Sequence, residues 1–172
     1  MTYQRFEDLP VWQKAADLYD AVEDLLEDES FRASRAFRDQ LDRATLSVSN
    51  NIAEGFERGT TSELLQFIYI ARGSAGEVRS MLTLKLRRTS KRSGSTEVAS
   101  RLTALKSLAE SCSRQLRAWA DSLQNSAIKG QRHLNDAARK GDDQKKRAAA
   151  VPKKTLEVPP PNHPLRRRET GE

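Results

Sequence analysis

Between residues 98 and 123 the apolar side chains Val98, Leu102, Leu105, Ala109, Cys112, Leu116, Trp119 and Leu123 recur at intervals that alternate four and three. That spacing keeps every one of them on one stripe of an α-helix and is the seam of a bundle or coiled coil. A single helix cannot bury such a stripe against itself, so the chain must supply or recruit partner helices.

Three upstream segments match it. Pro10 favours the first turn of a helix, and Trp12, Ala15, Tyr19, Val22 and Leu26 then share one face, with EDES at 27–30 closing the segment. A second helix is expected from Ser34 or Arg35 to about Glu54, with Phe37, Leu41, Ala44, Val48 and Ile52 on its stripe and Gly55 as its stop. GTTSE at 59–63 restarts the chain, Thr60 capping a third helix with Glu63 placed for a capping box. That helix runs to about Arg88 and carries two seams. The main one holds Leu64, Phe67, Ile68, Ala71, Ala75, Val78, Leu82 and Leu86; the second holds Ile70, Gly73, Ser74, Glu77, Met81 and Leu84. A helix with two non-solvent faces is central in its domain or shared with another subunit. Residues 87–96, RRTSKRSGST, are expected to form a loop before the fourth helix. The expected fold is all-α, an antiparallel up-down-up-down four-helix bundle over residues 1–125.

Beyond residue 125 large apolar side chains almost vanish and five of the six prolines fall between 152 and 164, so 126–172 is expected to be a disordered, basic tail. The charge divides at the same place. Residues 1–125 hold 18 basic and 18 acidic side chains, whereas the tail holds 12 and 6 and supplies the whole net charge of +6. Within the bundle, 7–29 are acidic apart from Lys14, and 79–117 carry ten cations against Glu97 and Glu110.

Several chemistries lack their residues. Both histidines, His133 and His163, lie in the tail, which leaves residues 1–125 without a Ser–His or Cys–His pair or a Glu-x-x-His metal motif. RGSAGE at 72–77 sits within a helical pattern rather than after a strand, unlike a phosphate loop. Cys112 belongs to the apolar stripe and excludes an intramolecular disulfide, being the sole cysteine. No catalytic residue, metal site or cofactor is assigned, and no enzyme is expected. With no signal-like or membrane-length apolar run, a cytoplasmic protein without membrane contact is expected.

A polar line interrupts this pattern. Arg43, Ser47, Asn51 and Glu54 fall on one side of the second helix, beside its apolar stripe. Arg43 or Arg72 is expected to neutralise Glu54 and Glu77, making Arg43, Ser47, Asn51, Glu54, Arg72 and Glu77 a structural polar seam.

The segments FEDLPVWQKA, RATLSVSNNIAEGFER and FIYIARGSAGEV, in this order and spacing, resemble the four-helix-bundle proteins encoded in intervening sequences of bacterial 23S ribosomal RNA genes. A related bundle is the accessory protein of diversity-generating retroelements. The resemblance covers about residues 4–123 and implies a left-handed bundle assembling as a ring-like homopentamer, with no established enzymatic activity. On that footing Arg87, Arg88, Lys91, Arg92, Arg101 and Lys106 are candidate phosphate contacts for RNA or another nucleic acid, with no aromatic residue interleaved among them. The alternative is a protein-interaction scaffold that docks a partner protein through its charged faces.

Overall fold

Among the described residues, 3–90 and 96–125 of a computed structural model, the chain is helical and contains no strand. A 3-10 turn, Phe6–Asp8, leads into four α-helices: α1 (Pro10–Glu27), α2 (Arg35–Glu57), α3 (Thr61–Ser90) and α4 (Thr96–Gln124). Each packs on two neighbours in the cycle α1–α2–α3–α4–α1, with no close backbone approach across either diagonal among the described residues. The antiparallel order shows in the cross-helix bonds. Gln40 and Ser47 of α2 meet Glu77 and Ser74 of α3, and Gln124 at the end of α4 donates to the Tyr69 hydroxyl of α3.

The stripe of α4 is buried from Val98 to Leu116, after which Ala120 takes the inward place and Trp119 and Leu123 flank the core. In α1 the inward residues are Val11, Ala15, Leu18, Val22 and Leu25. The expected stripe shared only Ala15 and Val22 with this set. Leu18 and Leu25 carry no polar side-chain atom and go inside, while Trp12 and Tyr19, each with a polar group on its ring, stay half-buried. Trp12 stacks edge-on against Phe6, ring centroids 5.3 Å apart, which closes the lower end of α1.

Ser34 caps α2, its hydroxyl accepting from the Phe37 amide at 3.3 Å. Gly55 does not stop this helix. It lies inside α2, buried against α3, where an added Cβ would sit 2.7 Å from Phe67 Cβ and 3.2 Å from Leu64 Cδ1. The glycine is there because two helix backbones approach each other. Thr60 does cap α3: its hydroxyl accepts from the Glu63 amide at 3.2 Å and donates to the Glu63 carboxylate at 2.7 Å. Residues 87–90, expected in a loop, continue α3 as its last turn. The rest of that loop, 91–95, and the expected tail lie outside the described residues.

The turn between α1 and α2 is fastened by one cation from each of α2, α3 and α4. Arg38 of α2 donates to the Phe31 carbonyl at 3.0 Å. Lys85 of α3 donates to the Arg32 carbonyl, and Arg101 of α4 pairs with Asp28. Phe31, 2% exposed, plugs the core beneath them, with Lys85 Nζ 4.9 Å from its ring centroid.

Candidate functional site

Two features stand apart from the apolar core: the polar groove between α2 and α3, and the basic end of the bundle. In the groove, Asn51 Nδ2 donates to the Ser47 carbonyl at 2.7 Å and to Ser47 Oγ at 3.0 Å. Ser47 Oγ lies 2.9 Å from Ser74 Oγ, and Ser74 Oγ donates to the Ile70 carbonyl at 3.1 Å. A hydroxyl has one proton. Ser74 gives its proton to Ile70, so Ser47 is the donor between the two serines. The protons run in one direction, Asn51 to Ser47 to Ser74 to Ile70.

Further along the groove Gln40 Nε2 donates to Glu77 at 2.6 Å, and Arg43 donates to Gln40 Oε1 at 2.9 Å. Arg43 therefore reaches Glu77 only through Gln40. Glu54 pairs with Arg58, one turn on in α2, in place of the expected Arg43 or Arg72. Arg72 makes no hydrogen bond or ion pair among the described residues.

The expected seam thus divides: Ser47 and Asn51 are half-buried between the helices, and Arg43, Glu54 and Glu77 are exposed on its outer side. Helical phasing explains the division. At about 100° per residue, Gln40, Ser47 and Asn51 lie roughly 40–80° round from Arg43 toward the core, whereas Glu54 lies only about 20° round. Gln40 was legible by that arithmetic and was missed because it precedes the contiguous motif.

The candidate phosphate contacts also divide. Arg87 and Arg88 are exposed on the last turn of α3. Arg101 is engaged with Asp28 and holds the α1–α2 turn, so its charge is already matched. Lys106 is half-buried on α4, and Lys91 and Arg92 lie outside the described residues. Arg32, which sequence reading did not single out, joins Arg88 on the wall of a cavity of about 930 Å³ at this end of the bundle. Phe31 and Phe37 line the same cavity, so aromatic rings absent from the basic run in sequence are beside it in space. Only Phe37 offers a partly open ring, because Phe31 is buried.

Cys112 has no accessible face. Its thiol donates to the Lys14 carbonyl at 3.3 Å, and burial pushes its pKa up to about 11. No group of His, Cys, Asp or Glu among the described residues has the arrangement of a metal site, and no described helix is long and apolar enough to cross a membrane.

The architecture defines an all-α four-helix-bundle protein with a polar interhelical groove and a cluster of cations at one end. Residues 7–118, more than half of the chain, match the family model of the 23S rRNA-intervening sequence protein, and the chain belongs to that family. Comparison with curated proteins finds no match.

Proposed function

We propose that this chain is a non-enzymatic bundle that assembles with copies of itself, as a homopentamer, and contacts RNA or another nucleic acid through its basic end. The outward face of α3 carries the assembly reading. Gln66, Ile70, Gly73, Glu77, Ser80, Leu84 and Arg87 follow one another at intervals of four and three along it. Ile70 is 51% exposed and Leu84 58%, and Tyr69 of α3 and Leu46 of α2 are exposed as well. Nothing lies within 4 Å of where a Cβ would stand on Gly73 or Gly76. Each glycine costs a mid-helix position about 1 kcal/mol relative to alanine, with no compensation inside this subunit. A second copy approaching α3 closely would supply that compensation. The five-fold number comes from the family resemblance.

For nucleic acid, Arg87 and Arg88 are exposed at the end of α3 and make no ion pair among the described residues. A ring repeats this pair in every subunit, so weak single contacts add through avidity. Light-scattering mass on a sizing column tests assembly: a multiple of 19.4 kDa is expected, and a monomer overturns it. Binding of structured RNA should weaken linearly on a log–log plot against salt. Arg87→Glu with Arg88→Glu should reduce that slope by about 0.9 for each phosphate no longer neutralised.

A docking scaffold is the second reading, favoured by α1. Only Asp28, just past its end, forms a cross-helix ion pair among the described residues; Asp17 pairs with Lys14 within the helix. Co-purification of a stoichiometric basic protein, resistant to nuclease, would select it.

A further inference from the structure

The lining of the cavity at the basic end mixes two kinds of side chain. Arg32, Lys85 and Arg88 are its cations, and no carboxylate lines it among the described residues. Phe37, Leu84 and Val98 are its apolar part, Phe37 half-buried with Lys85 Nζ 5.7 Å from its ring centroid. Its volume of about 930 Å³ is in the range of small-molecule sites. Arg38, Lys85 and Arg101 are occupied in fastening the adjacent turn, so of the three cations in the lining Arg32 and Arg88 are left to meet a ligand.

This mixed lining selects by chemistry. A polyanion such as an inositol phosphate needs cations on all sides, and here apolar side chains share the lining. A fatty acid needs a long enclosed apolar channel, and here cations share it. A flat ring system carrying one anionic group suits both kinds of side chain: its ring packs on Phe37 and Leu84, and its anion meets the planar donors of Arg32 and Arg88. We infer that the cavity binds a nucleoside monophosphate, as a free nucleotide or as the 5′-phosphorylated end of a strand. This deepens the nucleic-acid reading at the same end of the bundle, adding a site for a single nucleotide to a surface for phosphates.

The test is titration of the full chain with AMP, adenosine, inorganic phosphate, and oligoadenylate with and without a 5′-phosphate. AMP is expected to bind at least about tenfold more tightly than adenosine or phosphate, since each of these lacks one half of the recognition. Arg88→Glu and Phe37→Ala should each weaken AMP by about tenfold or more. Arg88→Glu changes an exposed residue and keeps the bundle folded, as far-UV circular dichroism would verify. Arg114→Glu, which breaks an exposed pair with Glu110 on α4, should leave AMP binding unaltered. Tighter binding of AMP than of the 5′-phosphorylated strand assigns the site to free nucleotide, and the reverse assigns it to strand ends. Phosphate binding as tightly as AMP, or an Arg88→Glu protein that keeps its AMP affinity, overturns the inference. Structured RNA measured in parallel separates the two readings. AMP binding without salt-sensitive RNA binding removes the surface and keeps the cavity, and RNA binding without AMP binding removes the cavity alone.

Discussion

Two glycines of similar appearance in the sequence have opposite surroundings. Gly55 faces α3 with no room for a methyl group, since Phe67 Cβ would be 2.7 Å away and is attached directly to backbone. Gly55→Ala should therefore destabilise the bundle by about 1–3 kcal/mol despite the better helix propensity of alanine. Gly73 faces open space. Gly73→Ala should stabilise an isolated subunit by about 0.5–1 kcal/mol, while a bulkier Gly73→Leu should weaken assembly. Urea unfolding and light-scattering mass read the two effects separately.

The alkaline limb of stability is also a residue-scale property. Burial raises the pKa of Cys112 from 9.0 to about 11, and burial followed by the carboxylates of Glu23, Asp42 and Asp20 raises that of Tyr19. Both groups bind their proton more tightly in the folded state. The thiol's contribution is complete below its unfolded value and is lost as pH rises from about 9 through about 11. Urea midpoints should hold steady from pH 7 to about pH 8.5 and then fall, less steeply in a Cys112→Ala protein. Asp28 acts at the other limb. Hydrogen bonds from the Ser30 side chain and amide, together with Arg101, hold its carboxyl below the usual range, so its contribution is lost as pH falls through that lowered value.

At the scale of elements, the α2–α3 groove is a directed chain of hydrogen bonds and not a row of ion pairs. Ser47→Ala removes the link to Ser74 but leaves Asn51 bonded to the residue 47 carbonyl and Ser74 bonded to Ile70. The expected loss is about 0.5–1.5 kcal/mol, and a Ser47/Ser74 double-mutant cycle should return a coupling of similar size.

Helix identity was legible because long 3–4 patterns admit no other regular structure. The inward face of α1 was not. Its two adjacent stripes differ by one residue, and the choice depended on which side chains lose least by leaving water. Gly55 was misread for a related reason: a glycine that ends a helix and one that admits a neighbouring backbone look alike until the neighbour is placed. Arg101 looked like a phosphate contact because its partner, Asp28, lies 73 residues away.

At the scale of the whole molecule, α3 exposes Ile70 and Leu84 on its outward face, and a charge set there should separate folding from assembly. Ile70→Asp is expected to leave the helical content and urea midpoint of a subunit nearly unchanged, because Ile70 is 51% exposed. Its mass on a sizing column should fall to that of a monomer. An unchanged mass would mean that α3 meets only solvent. This face was partly visible in the sequence as a second seam. The cavity was not, since its walls come from residues as distant as Arg32, Arg88 and Val98.

Cys112 gives the molecule an internal clock. Its sulfur is buried on α4 beneath α1, against the Lys14 carbonyl. A thiol reagent reaches it when α1, the shortest of the four helices at 18 residues, swings away, or when the whole bundle opens. Labelling rates in increasing urea distinguish these events: a shallow dependence reports α1 leaving alone, and a steep dependence reports global unfolding.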